Sequence, residues 1–300
     1  MSKLQYFVMH WQSIMTYMAL SVIIVFSNNT VVNIYGFKNI AFFLLCQSVC
    51  TVFLMLVYPK FRKKIQKPSM EILSSCLLNV ANVFFGVSAA SELNIAMFSS
   101  LRRFSILFTL IAQYRFLDIK PTKPVIYSVV LMILGSFIAA GNDMTFNLAG
   151  YILVMIANIL TTSSQIVTQK TLVVYCKTSI LFWSAVVATI LFGITCRNPS
   201  KFQYWGNGGF RLAFCLSLCL GFLINYYATM TIEKNSALTL AVAGSFKDAI
   251  CGIGIGLVTT YDFSWMNFTG LQISAISSMF YVIAMEQQKK QQKKFIGILG

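Results

Sequence analysis

The sequence predicts an all-α polytopic membrane protein of ten transmembrane helices, built as an inverted repeat of five plus five. Three observations carry that expectation. Apolar residues make up 57% of the chain and charged residues only 10%, against roughly 25% charged in a soluble domain. The apolar residues gather in blocks of about 20, enough to cross about 30 Å of hydrocarbon at about 1.5 Å per residue. Finally, the blocks fall into two sets of five that match weakly under a single offset.

Taken in order, the blocks place spans at 14–35, 39–58, 72–91, 94–117, 122–140, 148–174, 178–196, 211–231, 236–260 and 264–285. The segment before the first block, MSKLQYFVMHWQSIM, has weak signal-peptide character, and no small-residue cleavage site precedes residue 35. The first block is therefore read as a retained span. The loops are short and leave no room for a separate soluble catalytic domain.

The net charge of +15 would invite a nucleic-acid reading in a soluble protein. Here most of the cations sit in short loops and report topology instead, so nucleic acid is not expected as a partner. Fifteen lie on the side of the termini: Lys3, Lys60, Arg62, Lys63, Lys64, Lys67, Arg115, Lys120, Lys123, Lys177, Lys234, Lys289, Lys290, Lys293 and Lys294. Four lie opposite: Lys38, Arg197, Lys201 and Arg211. The positive-inside rule then predicts both termini in the cytosol.

Shifting the chain by 141 residues aligns ASELNIAM (90–97) with TIEKNSAL (231–238) and brings Glu92, Asn94 and Ala96 onto Glu233, Asn235 and Ala237. Thr30 and Val32 fall on Thr171 and Val173. An odd number of spans per half turns the second half upside down, the build of secondary transporters with a midplane site. The expected organisation is a first five-helix repeat over 1–146, a second over 147–288, and a basic cytoplasmic tail over 289–300.

Arg102 and Arg103 fall about 12–14 Å into the fourth span, and Lys247 about 17 Å into the ninth. A charge at mid-bilayer costs about 2.5–3.5 kcal/mol even on the lenient insertion scale and normally faces a cavity or a partner. One acid, Asp248, accompanies the three cations at that depth. Two readings stand. Either a ligand supplies the negative charge, in which case forked guanidinium donors and a compact ammonium suit phosphate, or an Arg pairs with Asp248 and the rest snorkel.

Around Lys247 the sequence AVAGSFKDAICGIGIG (241–256) is rich in small residues. Gly244, Gly252, Gly254 and Gly256 either expose backbone or let helices approach closely. Asn28 and Asn29 in the first span, and Ser163, Ser164 and Gln165 in the sixth, either line a cavity or bond neighbouring helices. The eight cysteines are scattered through apolar blocks and read as small buried hydrophobes. His10 is the single histidine, and the spans hold neither a carboxylate pair nor a metal-ligand cluster. Neither an enzyme nor a cofactor or metal is expected.

Five stretches resemble the nucleotide-sugar transporters of the drug/metabolite transporter superfamily: IYGFKN (34–39), MFSSLRRFSILFTL (97–110), GSFIAAGNDMTFNLAGYI (135–152), NSALTLAVAGSFKD (235–248) and YDFSWMNFTGLQIS (261–274). The sequence is most similar to the branch that carries UDP-glucuronic acid, UDP-N-acetylglucosamine or UDP-N-acetylgalactosamine, and GDP-mannose transporters are more distant. The resemblance implies exchange of a cytosolic nucleotide sugar for a lumenal nucleoside monophosphate across the Golgi or endoplasmic reticulum membrane. Gly244 and Lys247 match the Gly-x-x-Lys motif of the UDP-sugar branch, and the basic pair of the fourth span falls on Arg102 and Arg103.

One signature departs from the family. Where relatives carry Phe-Tyr-Asn in the seventh span, this chain reads FWSA (182–185): Phe182 is kept, Trp183 keeps an aromatic ring, and Ser184 replaces the amide. A hydroxyl offers a base edge less than an amide's two donors and one acceptor, so the base contacts are expected to be rearranged. Arg102, Arg103 and Lys247 are expected to hold the diphosphate, with spans one, six and seven on base and sugar. Transport of GDP-mannose or another phosphorylated metabolite, or a non-transporting scaffold, stays open beside this reading, as does a homodimer.

Overall fold

The computed structural model describes residues 3–93, 98, 101–140, 147–196, 202–244 and 265–298. Among these there is no strand. The helices are α1 (Lys3–Asn29), α2 (Ile40–Val57), α3 (Met70–Glu92), α4 (Phe104–Phe116) and α5 (Lys123–Ala140). They continue as α6 (Leu148–Val174), α7 (Lys177–Thr195), α8 (Gly208–Lys234), α9 (237–244) and α10 (Trp265–Ile298). Five stretches are long and apolar enough to cross a membrane: Gln12–Val32, Ile40–Val57, Leu148–Val174, Lys177–Thr195 and Gly208–Lys234. Large apolar side chains such as Phe53, Tyr127, Phe137 and Leu212 stand exposed on the helices, as expected where lipid is the solvent.

The helix starts follow from local chemistry. Asn39 accepts from the Phe42 amide at the start of α2, Asn147 from Gly150 at α6, and Asn207 from Gly209 and Phe210 at α8. Each amide oxygen takes a donor that the first helical turn leaves without a backbone partner. Gly36 adopts φ +69° in the turn before α2, a conformation open to glycine at little cost.

Two termini differ from expectation. Helix α1 begins at Lys3, ahead of the apolar block, and α10 runs through the basic stretch to Ile298. The described part of the expected tail is thus a continuation of the last helix. Between Leu271 and Ile296 there is no glycine or proline to stop it, and Gln and Lys are good helix formers.

The chain divides into two compact units, each drawing on both halves of the sequence. The first comprises Met1–Ala81 and Val167–Ser236, the second Asn82–Ile166 and Ala237–Gly300. In the first, α1 packs on α8, and α2 packs on α7 and α8. An aromatic core of Phe37, Phe43, Phe210 and Phe214, flanked by Tyr35, Phe202 and Trp205, fills one end. In the second, α5 packs along α10, and Ile106, Val129, Met132, Leu238 and Tyr281 form the core. A Cβ at Gly135 would lie 2.8 Å from the Gly270 carbonyl oxygen and 2.9 Å from the Ser274 nitrogen. Backbone meets backbone there, the approach that small residues permit between membrane helices.

Candidate functional site

Residues Leu101 and Arg102 are helical, Arg103 lies in a turn, and α4 starts at Phe104. Such a break leaves backbone carbonyls without the usual i+4 donor, which is costly inside a membrane unless other groups step in. Here each is met. Asn158 Nδ2 donates to the Leu101 carbonyl at 2.8 Å, and Ser105 Oγ to that of Arg102 at 2.7 Å. The Ile106 amide donates to the Arg103 carbonyl at 3.0 Å, and the Thr109 and Thr162 hydroxyls donate to that of Ser105 at 2.7 and 3.3 Å.

The two arginines leave this turn in different surroundings. Arg103 is 2% exposed, and its Nη1 donates to Ser136 Oγ at 3.3 Å. Arg102 is half-buried, its guanidinium 5.7 Å from the centre of the Phe98 ring, within cation–π range. A Cβ at Gly86 would come within 3.1 Å of Arg102 Nη1, so the glycine of α3 makes room for the cation. Both charges sit at the junction where the helical residues Leu101 and Arg102 give way to the 13-residue α4.

Helix α6 supports the segment with a stripe that sequence reading missed. Asn158, Thr161, Thr162 and Thr168 are all under 10% exposed. Thr161 Oγ1 donates to Asn82 Oδ1 at 2.6 Å, and the Thr109 and Thr162 hydroxyls lie 3.2 Å apart. The spacing of 158, 161, 162 and 165 is that of one helix face, a signal the adjacent run Ser163, Ser164, Gln165 obscured. Ser164 is buried in α6, and Gly244 ends the described part of α9, where a Cβ would meet no described residue within 4 Å. Lys247 and Asp248 lie outside the described residues.

The remaining expected residues belong to the first unit. Asn28 and Asn29 are half-buried at the end of α1, where the chain widens into a π-helix over Thr30–Ile34. Asn28 Oδ1 is buried with no hydrogen-bond donor among the described residues. Single π-turns recur at functional sites because they re-aim side chains without ending the helix.

The altered signature lies in α7. Phe182 packs on Trp183 with ring centres 5.4 Å apart. Trp183 Nε1 donates to the Gln66 carbonyl at 3.0 Å, and Ser184 Oγ to Cys76 Sγ at 3.2 Å. The indole N–H and the Ser184 hydroxyl are thus engaged by the protein itself. Nearby, Lys177 Nζ pairs with Glu233 Oε2 at 2.6 Å and lies 5.8 Å from the Tyr226 ring centre.

Five helices of membrane length, shorter apolar helices and no strand among the described residues define an all-α polytopic membrane protein, with the buried Arg103 beside the shorter α4. No protein-family model matches the chain. It is, however, 34% identical over 286 residues to the nucleotide sugar transporter SLC35D2 of Homo sapiens, spanning 90% of this chain and 84% of that one. It is 32% identical to the UDP-sugar transporter sqv-7 of Caenorhabditis elegans, over 91% and 88% of the two chains. With the UDP-sugar transporter UST74c of Drosophila melanogaster it shares 30% identity, over 89% and 75%. A solved crystal structure superimposes with a TM-score of 0.71 over 96% of this chain and 99% of the other, at 9% identity, a likeness of fold alone. The chain belongs to the nucleotide-sugar transporter family.

Proposed function

We propose that the protein exchanges a UDP-sugar, a UDP-N-acetylhexosamine or UDP-glucuronic acid, for a nucleoside monophosphate by alternating access. The observation that carries the reading is the placement of Arg103, with Arg102 beside it, at the amino end of α4. Two adjacent guanidinium groups, whose forked donors match phosphate oxygens, favour a diphosphate there. Lys247 is assigned to the same anion. The relatives named as UDP-sugar transporters support the choice of nucleotide.

Ten helices in an inverted five-plus-five repeat are proposed for the whole chain. Helix pairing supports it. Helices α2 and α7 pack together, as do α5 and α10, and each pair joins equivalent members of the two halves. The contact of α1 with α8 has its counterpart in α3 and α6, where the Ser75 and Thr168 hydroxyls lie 2.8 Å apart. The excess of loop cations on one side supports cytosolic termini, and the family likeness supports a Golgi or endoplasmic reticulum membrane.

A second reading keeps the fold and replaces the substrate with a phosphorylated metabolite lacking a base. It is favoured by Ser184, whose hydroxyl donates to Cys76 where relatives offer an amide. Counterflow uptake separates the two. Proteoliposomes holding the full chain and preloaded with UMP, GMP or CMP are offered labelled nucleotide sugars. UMP is expected to drive uptake of a UDP-sugar. Stimulation by GMP alone overturns the UDP assignment, and silence across the panel overturns nucleotide exchange.

A further inference from the structure

We infer that the loop joining α2 to α3 is a rigid cationic platform that docks the anionic phospholipid headgroups of the leaflet it faces. Lys60, Arg62, Lys63, Lys64 and Lys67 are all exposed, and none forms an ion pair with a described residue. A cationic loop could be a solvated tether, but this one is built. A turn of helix over Pro59–Arg62 orders its first part, and Phe61 packs on Phe222 and Tyr226, with ring centres 6.0 and 5.7 Å apart.

The second part of the loop is held against the start of α7 by four hydrogen bonds. Ser179 Oγ donates to the Lys64 carbonyl at 3.0 Å and accepts from the Gln66 amide at 2.9 Å. Trp183 Nε1 donates to the Gln66 carbonyl at 3.0 Å, and the Cys176 amide to Gln66 Oε1 at 3.3 Å. Backbone order is therefore established before any ligand arrives, which removes much of the entropic cost of gathering five cations on one partner.

The partner follows from position and charge. The loop joins the ends of an 18-residue and a 23-residue apolar helix, so it lies at the level of the headgroups. Headgroups of net negative charge are the anions at that depth, whereas the phosphate of phosphatidylcholine is balanced by its choline. Clustered Lys and Arg beside a membrane helix each gain about fivefold in binding to an anionic surface, the equivalent of about 1 kcal/mol.

The test uses the full chain in detergent, titrated with phosphatidylserine or phosphatidylcholine, with thermal unfolding and retained lipid by native mass spectrometry as readouts. Phosphatidylserine is expected to raise the midpoint and be retained in preference to phosphatidylcholine. Changing Lys60, Arg62, Lys63, Lys64 and Lys67 to Gln is expected to remove that preference, by about fivefold per charge. The same changes at Lys289, Lys290, Lys293 and Lys294 are expected to leave most of it. Ser179→Ala with Trp183→Phe keeps every charge but frees the loop, and weaker retention is expected. Equal retention of the two lipids by the unaltered chain, or full preference in the loop variant, overturns the inference. So does displacement of the lipid by free UDP, which would assign the platform to soluble phosphate.

Discussion

Replacing Asn158 is the sharpest perturbation of the interrupted helix that can be made without touching an arginine. The side chain is fully buried, and its Nδ2 donates to the Leu101 carbonyl at 2.8 Å beside the break. In Asn158→Leu the branched heavy-atom skeleton is kept and the donor is gone. A buried acceptor left alone costs about 1–3 kcal/mol, while hydrogen bonds between membrane helices average about 0.6 and reach about 1.7 kcal/mol. The two ranges meet near 1–2 kcal/mol, a factor of about 5–30 in a population. Because Leu101 directly precedes the arginines, the loss should appear as misplacement of the cations. Counterflow kinetics are expected to show KM for the UDP-sugar raised by about that factor with Vmax little changed, together with a lower unfolding midpoint. Asn158→Asp, which turns a donor into a charged acceptor facing a carbonyl, is expected to be worse. An unchanged KM with a lowered midpoint would reduce Asn158 to a packing residue; no change in either would refute the reasoning.

Three further outcomes follow from close approaches and charge. Gly135→Ala sets a Cβ 2.8 Å from the Gly270 oxygen and 2.9 Å from the Ser274 nitrogen, neither of which can rotate away. An overpacking cost of about 1–3 kcal/mol is expected as a lowered unfolding midpoint, and an unaltered midpoint would deny the contact of α5 with α10. Gly86→Ala meets, among the described residues, only the flexible end of Arg102 at 3.1 Å, so the midpoint should hold while KM for the nucleotide sugar rises; a wild-type KM would detach Arg102 from the substrate. Lys247→Ala is expected to abolish exchange with expression and insertion normal, and preserved exchange would remove Lys247 from the site.

The legible part of the molecule is what the bilayer dictates. The sixth apolar block, 148–174, coincides with α6, and 39–58 differs from α2 by one residue at each end. Twenty apolar residues bounded by Asn, Lys or Pro leave few alternatives. The break at Arg103 was not legible, because Leu101–Ser105 holds neither glycine nor proline. The groups that sustain it include Asn158, 57 residues away in the chain. The stripe on α6 stood in the sequence at helical spacing, yet the consecutive polar run beside it drew the eye. The fate of the altered signature depended on partners more distant still: Gln66 for Trp183 and Cys76 for Ser184, 117 and 108 residues away.

The division of labour around α4 explains why the polar stripe matters to the proposed chemistry. An arginine has five donors and no acceptor, so it cannot relieve an exposed carbonyl without turning its fork away from a ligand. Asn158, Ser105, Thr109 and Thr162 take that task instead. Ser136, in turn, orients one nitrogen of Arg103. A lysine at 103 would keep the charge but lose the planar fork that matches two phosphate oxygens at once. The interruption therefore does more than admit two cations to an apolar helix. It places them at a turn whose neighbouring carbonyls already accept from other side chains.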